Sequence, residues 1–266
     1  EFFDVEYRVD HLIHTFPKPI LCWGHGIVMG GGLGLMAGAS HRVVSERSRL
    51  AFPEITVGLF PDVGGSYLLP RVPGRGGLFL ALTGAPLNAG DAIYAGLADL
   101  HIPEARRSDV LHALGETAWS ADSTENGTRL TTLLQTFASD AATGPLFANA
   151  ALVDRLCEGN DLEPIVARIT ALQSDDPWLQ KAAQTLQAGP PASGRLGLEL
   201  QRRAAGQDLA SVYRLEYVAA LHGAAHGDFA EGIRALLVDK DRTPHWQPAS
   251  LAEATHAWAQ AFFTSP

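Results

Sequence analysis

Hydrophobic and polar positions fall into two textures along this chain. Up to residue 104, short apolar runs, "PILCWG", "HRVVSE", "RLAFPE" and "LADLHIP", alternate with glycine-rich turns. That is the pattern of short strands separated by short helices in an α/β layer. From Arg106 onward apolar residues recur at helical spacing, in "SDVLHALGETAW", "RLTTLLQTFAS", "ANAALVDRLCEG", "LEPIVARITAL" and "PWLQKAAQTLQAG", so the second half is predicted to be nearly all helix. The opening "EFFDVEYRVDHLIHTF" also reads as helix, with Phe3, Val5, Val9, Leu12 and Ile13 as its apolar stripe. Ser108 and Asp208 read as N-caps, Gly144, Gly159, Gly189 and Gly227 as helix stops, and "GPPASG" at 189–194 as the best hinge. The change of texture divides the chain into 1–104 and 105–266. It leaves open whether the helical part is a domain of its own or a cap on the first.

Composition excludes several classes of function. With 46% hydrophobic residues over 266 positions, the chain is globular rather than disordered. A net charge of −9 without any Lys/Arg stripe argues against a nucleic-acid partner. No apolar run approaches the roughly 18 residues that a membrane-crossing helix needs, so no membrane partner is expected. Cys22 and Cys157 lie far apart and suggest a reducing compartment, with a cytoplasmic location expected and a mitochondrial one left open. His222 and His226 have the i, i+4 spacing of a zinc motif, but Gly223 stands where its glutamate would be, so no metal site is expected.

Candidate chemistry concentrates between residues 24 and 66. The stretch "GIVMGGGLG" at 26–34 carries five glycines in nine positions, directly after a predicted strand. A glycine triplet that opens a helix leaves unshielded N–H donors at its N-terminus, a ready site for an anion or a developing oxyanion. Close packing of a helix against a sheet would require the same residues, and on the triplet alone the two readings are balanced. Further on, "FPEITVGLFPDVGGSYLLPR" places Glu54 and Asp62 in an apolar, proline-fixed loop. Such carboxyls are candidates for a raised pKa and acid/base or nucleophilic work, and the competing reading has both serving as helix or turn caps. A dinucleotide fingerprint fails because Met29 stands where its glycine belongs, and Ser66 lacks a nucleophile elbow.

The run from Lys18 to Leu82 resembles the core of the crotonase (enoyl-CoA hydratase/isomerase) superfamily. Within it, "FPE" followed by "GLFPDVGGSYLLPR" is most similar to the 3-hydroxyisobutyryl-CoA hydrolase branch. The likeness continues in "LTGAPLNAGDAIYAGLAD", "VYRLEYVAALH" and "DFAEGIRALLVDKDRTPHWQP". The resemblance implies an α/β fold, a crotonase-like spiral of ββα units followed by a mostly helical C-terminal half. It implies an acyl-CoA substrate, with coenzyme A as part of the substrate and no separate cofactor, and it allows a homo-oligomer. Gly31, flanked by Gly30 and Gly32, matches the glycine whose N–H holds the thioester oxygen. The second donor is expected from an Ala-Gly-Gly-Asp loop that would precede residue 1, so the chain is expected to lack the first strands of the family domain. Enoyl-CoA hydratases carry one catalytic glutamate where this chain has Gly34, and another where Glu54 stands. The hydrolase branch keeps Glu54 and adds an aspartate at Asp62. The implied activity is therefore hydrolysis of a short-chain 3-hydroxyacyl-CoA in valine breakdown, with a hydratase/isomerase or a non-catalytic binding protein as rivals.

Overall fold

The opening segment forms helix α1 (Phe2–Thr15), and the chain then enters a repeating path of two strands and a helix. Strands β1 (Leu21–Gly24) and β2 (Ile27–Met29) lead into α2 (Gly31–Gly38), and β3 (His41–Val44) and β4 (Arg49–Ala51) follow. A 3-10 turn (Glu54–Val57) comes next, then α3 (Gly65–Leu68), α4 (Gly76–Thr83), α5 (Ala89–Tyr94) and β5 (Leu100–His101). This computed structural model describes residues 1–264. The first two circuits each add one strand to each of two parallel sheets and the third adds β5 to the first of them, giving the orders β1-β3-β5 and β2-β4, with Leu21 opposite His41 and Ile27 opposite Arg49. Parallel pairing with a helical crossover at every circuit is what makes the path a ββα spiral. Strand β2 lies inside the glycine-rich stretch, where the apolar pattern did not mark it.

The remainder is helical: α6 (Arg107–Glu116), α7 (Ser123–Gln135), α8 (Pro145–Ala148), α9 (Ala150–Leu156), α10 (Leu162–Thr170) and α11 (Pro177–Ala188). Then come α12 (Pro191–Ala204), α13 (Leu209–His226), α14 (Phe229–Ile233) and α15 (His256–Gln260). One hydrophobic core runs from Phe3 through Leu82 and Leu200 to Phe262, so it continues across residue 104. A smaller cluster of Val43, Ile102, Val110, Leu130 and Leu134 forms where α6 and α7 cover β3 and β5.

Several local expectations need correction. The buried face of α1 is Phe3, Tyr7 and Asp10, while Val5, Val9 and Leu12 are exposed. The true face was hidden because two of its members are polar. Ser108 lies inside α6 rather than at its N-cap, and Gly144 precedes α8 instead of ending a helix. The segment 189–194 is no hinge: Gly189 closes α11, Pro190 immediately caps α12, and residues 192–194 are buried. Asp208 does cap α13, accepting from the Ser211 N–H at 2.7 Å, and Gly227 ends that helix.

Helix α1 lies on a glycine face of α2. A Cβ on Gly34 would sit 2.6 Å from Asp10 Oδ2 and 2.8 Å from Val63 Cβ, and one on Gly38 would sit 2.9 Å from Ile13 Cγ2. The same atom on Gly31 would collide with the Glu6 carboxylate. Around Gly32 the space is open. Gly34→Ala should therefore cost about 1–3 kcal/mol by overpacking. Gly32→Ala should be neutral or stabilise by up to ~1 kcal/mol through helix propensity. Urea unfolding of the two variants checks the contrast.

Candidate active site

The chain leaves β2 and turns into α2 at Gly30, whose φ of 52° and ψ of −129° suit only glycine. Behind that turn, the Leu33 and Gly34 amides bond back to the Gly30 carbonyl. The amides of Gly31 and Gly32 donate to no protein acceptor among the described residues, as expected for the first turn of a helix. Two aligned, unpaired donors thus stand at the positive end of α2.

Glu54 opens the 3-10 turn after Pro53 and is buried, with 5% of its surface exposed. Its Oε1 lies 3.7 Å from where a Cβ on Gly30 would be, and its Oε2 has no partner. Burial pushes the Glu54 carboxyl well above its ordinary range, and the nearby Asp62 charge raises it further. Asp62 is equally buried, and its Oδ2 accepts from the Tyr7 hydroxyl at 2.7 Å. Burial pushes Asp62 up to about 7, while the Tyr7 hydrogen bond pulls it down and the Glu6 charge raises it. The two carboxyls therefore share one electrostatic environment, with the Asp62 charge steadied by Tyr7 and the proton favoured on Glu54.

The loop that carries Asp62 is fixed from behind. Val63 adopts a φ of 50°, a conformation that strains a β-branched residue, and the Tyr213 ring packs beside Gly64. From α13, Glu216 is completely buried and accepts from the Gly64 and Ser66 amides, both at 2.8 Å. Burial pushes Glu216 up to about 8 against the pull of those two amides. The donors that open α3 are thus taken by Glu216, and the Asp62 side chain turns inward to Tyr7.

Four of these residues were not found by reading the sequence: Glu6, Tyr7, Asp10 and Glu216. Glu6 lies against Gly31, and Asp10, fully buried, lies against Gly34. A retrospective signal exists for two of them. Glu216 interrupts the otherwise apolar face Val212, Tyr213, Ala219, Ala220, Gly223, and Asp10 follows Phe3 and Tyr7 at helical spacing. Away from the site, His222 donates from Nε2 to the Thr264 carbonyl at 2.8 Å, a role within the helix packing. Among the described residues no group of three or more His, Cys, Asp or Glu side chains could hold a metal ion. No helix among them is long and apolar enough to cross a membrane.

The family model for enoyl-CoA hydratase/isomerase matches residues 1–263. The chain belongs to that family. Among curated relatives of this family member, the mitochondrial 3-hydroxyisobutyryl-CoA hydrolase of Xenopus laevis is 36% identical over 267 residues, covering 100% of this chain and 68% of that protein. A probable 3-hydroxyisobutyryl-CoA hydrolase 2 of Arabidopsis thaliana is 33% identical, covering 98% of this chain and 70% of its own length. The fold is that of a solved enoyl-CoA hydratase from Rhodobacter sphaeroides, at a TM-score of 0.86 and 36% identity over 99% of this chain and 73% of that one. A carnitinyl-CoA dehydratase from Mycobacterium thermoresistibile gives the same TM-score of 0.86 and the same 36% identity, over 100% of this chain and 73% of its own. The crotonase spiral expected from the sequence is the fold of this enoyl-CoA hydratase/isomerase family member.

The raised carboxyls set the pH dependence of stability. An acid whose folded pKa exceeds its unfolded one costs nothing while it is protonated in both states, and the cost grows as pH rises between the two values. Asp62 rises from 3.8 to about 7 and Glu216 from 4.5 to about 8, so the window runs from about pH 4 to about pH 8. The thermal unfolding midpoint should fall steadily between pH 5 and pH 8. A midpoint that rises over that interval would contradict the burial of these groups as acids.

Proposed function

We propose that this protein hydrolyses the thioester of a short-chain 3-hydroxyacyl-CoA, with 3-hydroxyisobutyryl-CoA, an intermediate of valine breakdown, as the substrate. The observation that carries the reading is the juxtaposition of two inward-facing carboxyls, Glu54 and Asp62, with free donors at the start of α2 and a glycine at position 34. The names of the curated relatives support the substrate.

In this reading the Gly31 N–H binds the thioester oxygen and stabilises the negative charge that builds on it. Glu54 delivers the attack on the carbonyl carbon, either with its own oxygen, forming an anhydride, or through a water that it deprotonates. As the C–S bond breaks, its electron pair leaves on the coenzyme A sulfur. The pair works with one proton, which rests on Glu54 beside the Tyr7-bonded Asp62 charge, moves to Asp62 as Glu54 is freed to act, and is then delivered by Asp62 to this thiolate. In the anhydride route water then opens the anhydride at the Glu54 carbonyl and restores the pair's proton; in the other route the water that Glu54 deprotonated supplies both the acid oxygen and that proton. Gly34 offers no group to orient a second water, which sets this site apart from paired-glutamate hydration.

Purified protein offered the 3-hydroxyacyl-CoA should release free thiol, and offered an enoyl-CoA should leave the enoyl absorbance unchanged. Loss of the enoyl absorbance without thiol release would instead establish a hydratase, and neither signal a binding protein. Glu54→Gln and Asp62→Asn should each lower thiol release by about a hundredfold or more, the scale for losing a positioned acid/base group, with substrate affinity kept. Asparagine caps a helix as well as aspartate does, so a silent Asp62→Asn would reduce Asp62 to structure. Single turnover in ¹⁸O-water separates the two routes, because only the anhydride leaves label in the Glu54 carboxyl.

Removing the Tyr7 hydroxyl should raise the acid limb of the rate profile. Its hydrogen bond favours the charged form of Asp62, so Tyr7→Phe should shift that limb upward by about 1–2 pH units, the equivalent of a charge-assisted hydrogen bond of ~1.5–3 kcal/mol. An unmoved limb would remove Asp62 from the rate-controlling ionisation.

A further inference from the structure

Asp10 is fully buried, and neither of its oxygens has a hydrogen-bond partner among the described residues. Its Oδ2 rests over the bare Cα of Gly34, in the space that any side chain at position 34 would need to cross. An ionised carboxylate in such a place would be a buried charge with neither counter-ion nor donor, which proteins avoid by keeping the proton. We propose that Asp10 sets the alkaline limit of the hydrolytic site from behind it, carried as the neutral acid in the working protein so that Asp62 ionises without a second negative charge beside it. The inference rests on the hydrolase reading above.

The surroundings of Asp10 bear this out from every side. On α1 itself, Glu6 and Tyr7 lie on one flank and His11 and His14 on the other. The glycine face of α2 brings no charge, the loop beyond β4 brings Asp62 and the apolar Val63, and α13 brings Tyr213, whose ring packs on Tyr7, His11 and His14. Glu216 and Arg214 follow on the same helix, with Arg214 on the exposed side. Burial, then the Glu6 charge, then the Asp62 charge push Asp10 from 3.8 up to about 7. His14 is held below its ordinary value by burial, so it supplies no cation that would ionise Asp10. Charge on Asp62 and charge on Asp10 oppose each other mutually, so whichever carboxyl has the hydrogen bond ionises first. Tyr7 gives that bond to Asp62.

The consequence is a two-sided working range. Asp62 and Asp10 are both pushed up to about 7, and because Tyr7 donates to Asp62 alone, Asp62 ionises first and Asp10 stays neutral up to about pH 7. Above it, ionisation of Asp10 places a second charge beside Asp62 and opposes the negative charge that develops on the substrate. Asp10→Asn, the neutral isostere, tests this directly. The variant should keep kcat/KM within about threefold of the parent at pH 6, leave the acid limb in place, and hold its rate above pH 7 where the parent falls by ~10-fold per pH unit, as a single ionisation requires. Asp10→Ser, neutral and smaller, should widen the alkaline side in the same way even where its stability drops. An acid limb that moves down in Asp10→Asn would mean that Asp10 is charged in the working protein, and an unmoved alkaline limb that its proton is irrelevant. Either result overturns the proposal.

A second readout needs no substrate and so separates failure of this inference from failure of the hydrolase reading. The difference in thermal midpoint between Asp10→Asn and the parent should grow as pH rises from 5 to 8, because only the parent carries the cost of ionising Asp10. A difference that is flat with pH would show that Asp10 ionises freely.

Discussion

The approach of α1 to the glycine face of α2 is the contact on which the site depends. With no Cβ at Gly31 and Gly34, Glu6 and Asp10 can lie against the backbone of α2, and Tyr7, between them on α1, reaches Asp62. The same bareness keeps the first amides of α2 open to a ligand. Glycine weakens a helix interior by up to ~1 kcal/mol relative to alanine. Here that cost is offset by packing that no larger residue would permit. The two readings of the glycine triplet, oxyanion donor and close packing, are therefore not alternatives. One face of the turn packs against α1, and the other leaves two amides unpaired and free for the proposed oxyanion.

The second constraint is electrostatic. Glu54, Asp62, Asp10 and Glu216 are all buried, and none of them has an ion-pair partner among the described residues. Each is compensated differently. Glu216 takes two backbone amides, Asp62 takes a tyrosine hydroxyl, and Glu54 and Asp10 retain unpartnered oxygens. This compensation pulls against burial without cancelling it, since Glu216 with two amides is still pushed up to about 8 and Asp62 with one hydroxyl to about 7. It also explains why the helical second half cannot be separated from the first. Glu216 and Tyr213 stand on α13, and without them the Asp62 loop would have neither its amide clamp nor the ring that packs beside Gly64.

Much of this was legible in the sequence, where local chemistry dictated local structure. The apolar runs marked β1, β3, β4 and β5, helical spacing marked α6, α7, α9, α10 and α11, and Asp208 announced α13. Glu54 and Asp62 were visible because carboxyls in a proline-fixed apolar loop are conspicuous. What escaped was set by partners distant in sequence. Glu216 meets the loop across 152 residues, and Tyr7 meets Asp62 across 55. The face of α1 was misread for a related reason: hydrophobicity selects its apolar residues, whereas the contact with α2 selects Phe3, Tyr7 and Asp10 and leaves Val5, Val9 and Leu12 outside. Strand β2 was hidden because Val28 alone is buried among its three residues, leaving no alternation to read.

Position 34 is where these constraints meet. A side chain there would need the volume already filled by the Asp10 carboxyl and by Val63, so the residues at 10 and 34 form one steric unit. A glutamate on α2 and an aspartate on α1 are mutually exclusive occupants of that space. The absence of a second carboxylate on the glycine helix is then more than the loss of a group. It is the condition for a buried carboxyl to enter from another helix, beside the loop that holds Asp62, and Val63 in its left-handed conformation closes the remaining side. Moving from one arrangement to the other requires changes on three elements at once, α1, α2 and the loop before α3. A single exchange at position 34 would leave two carboxyls competing for one volume, with like charge added to the overlap.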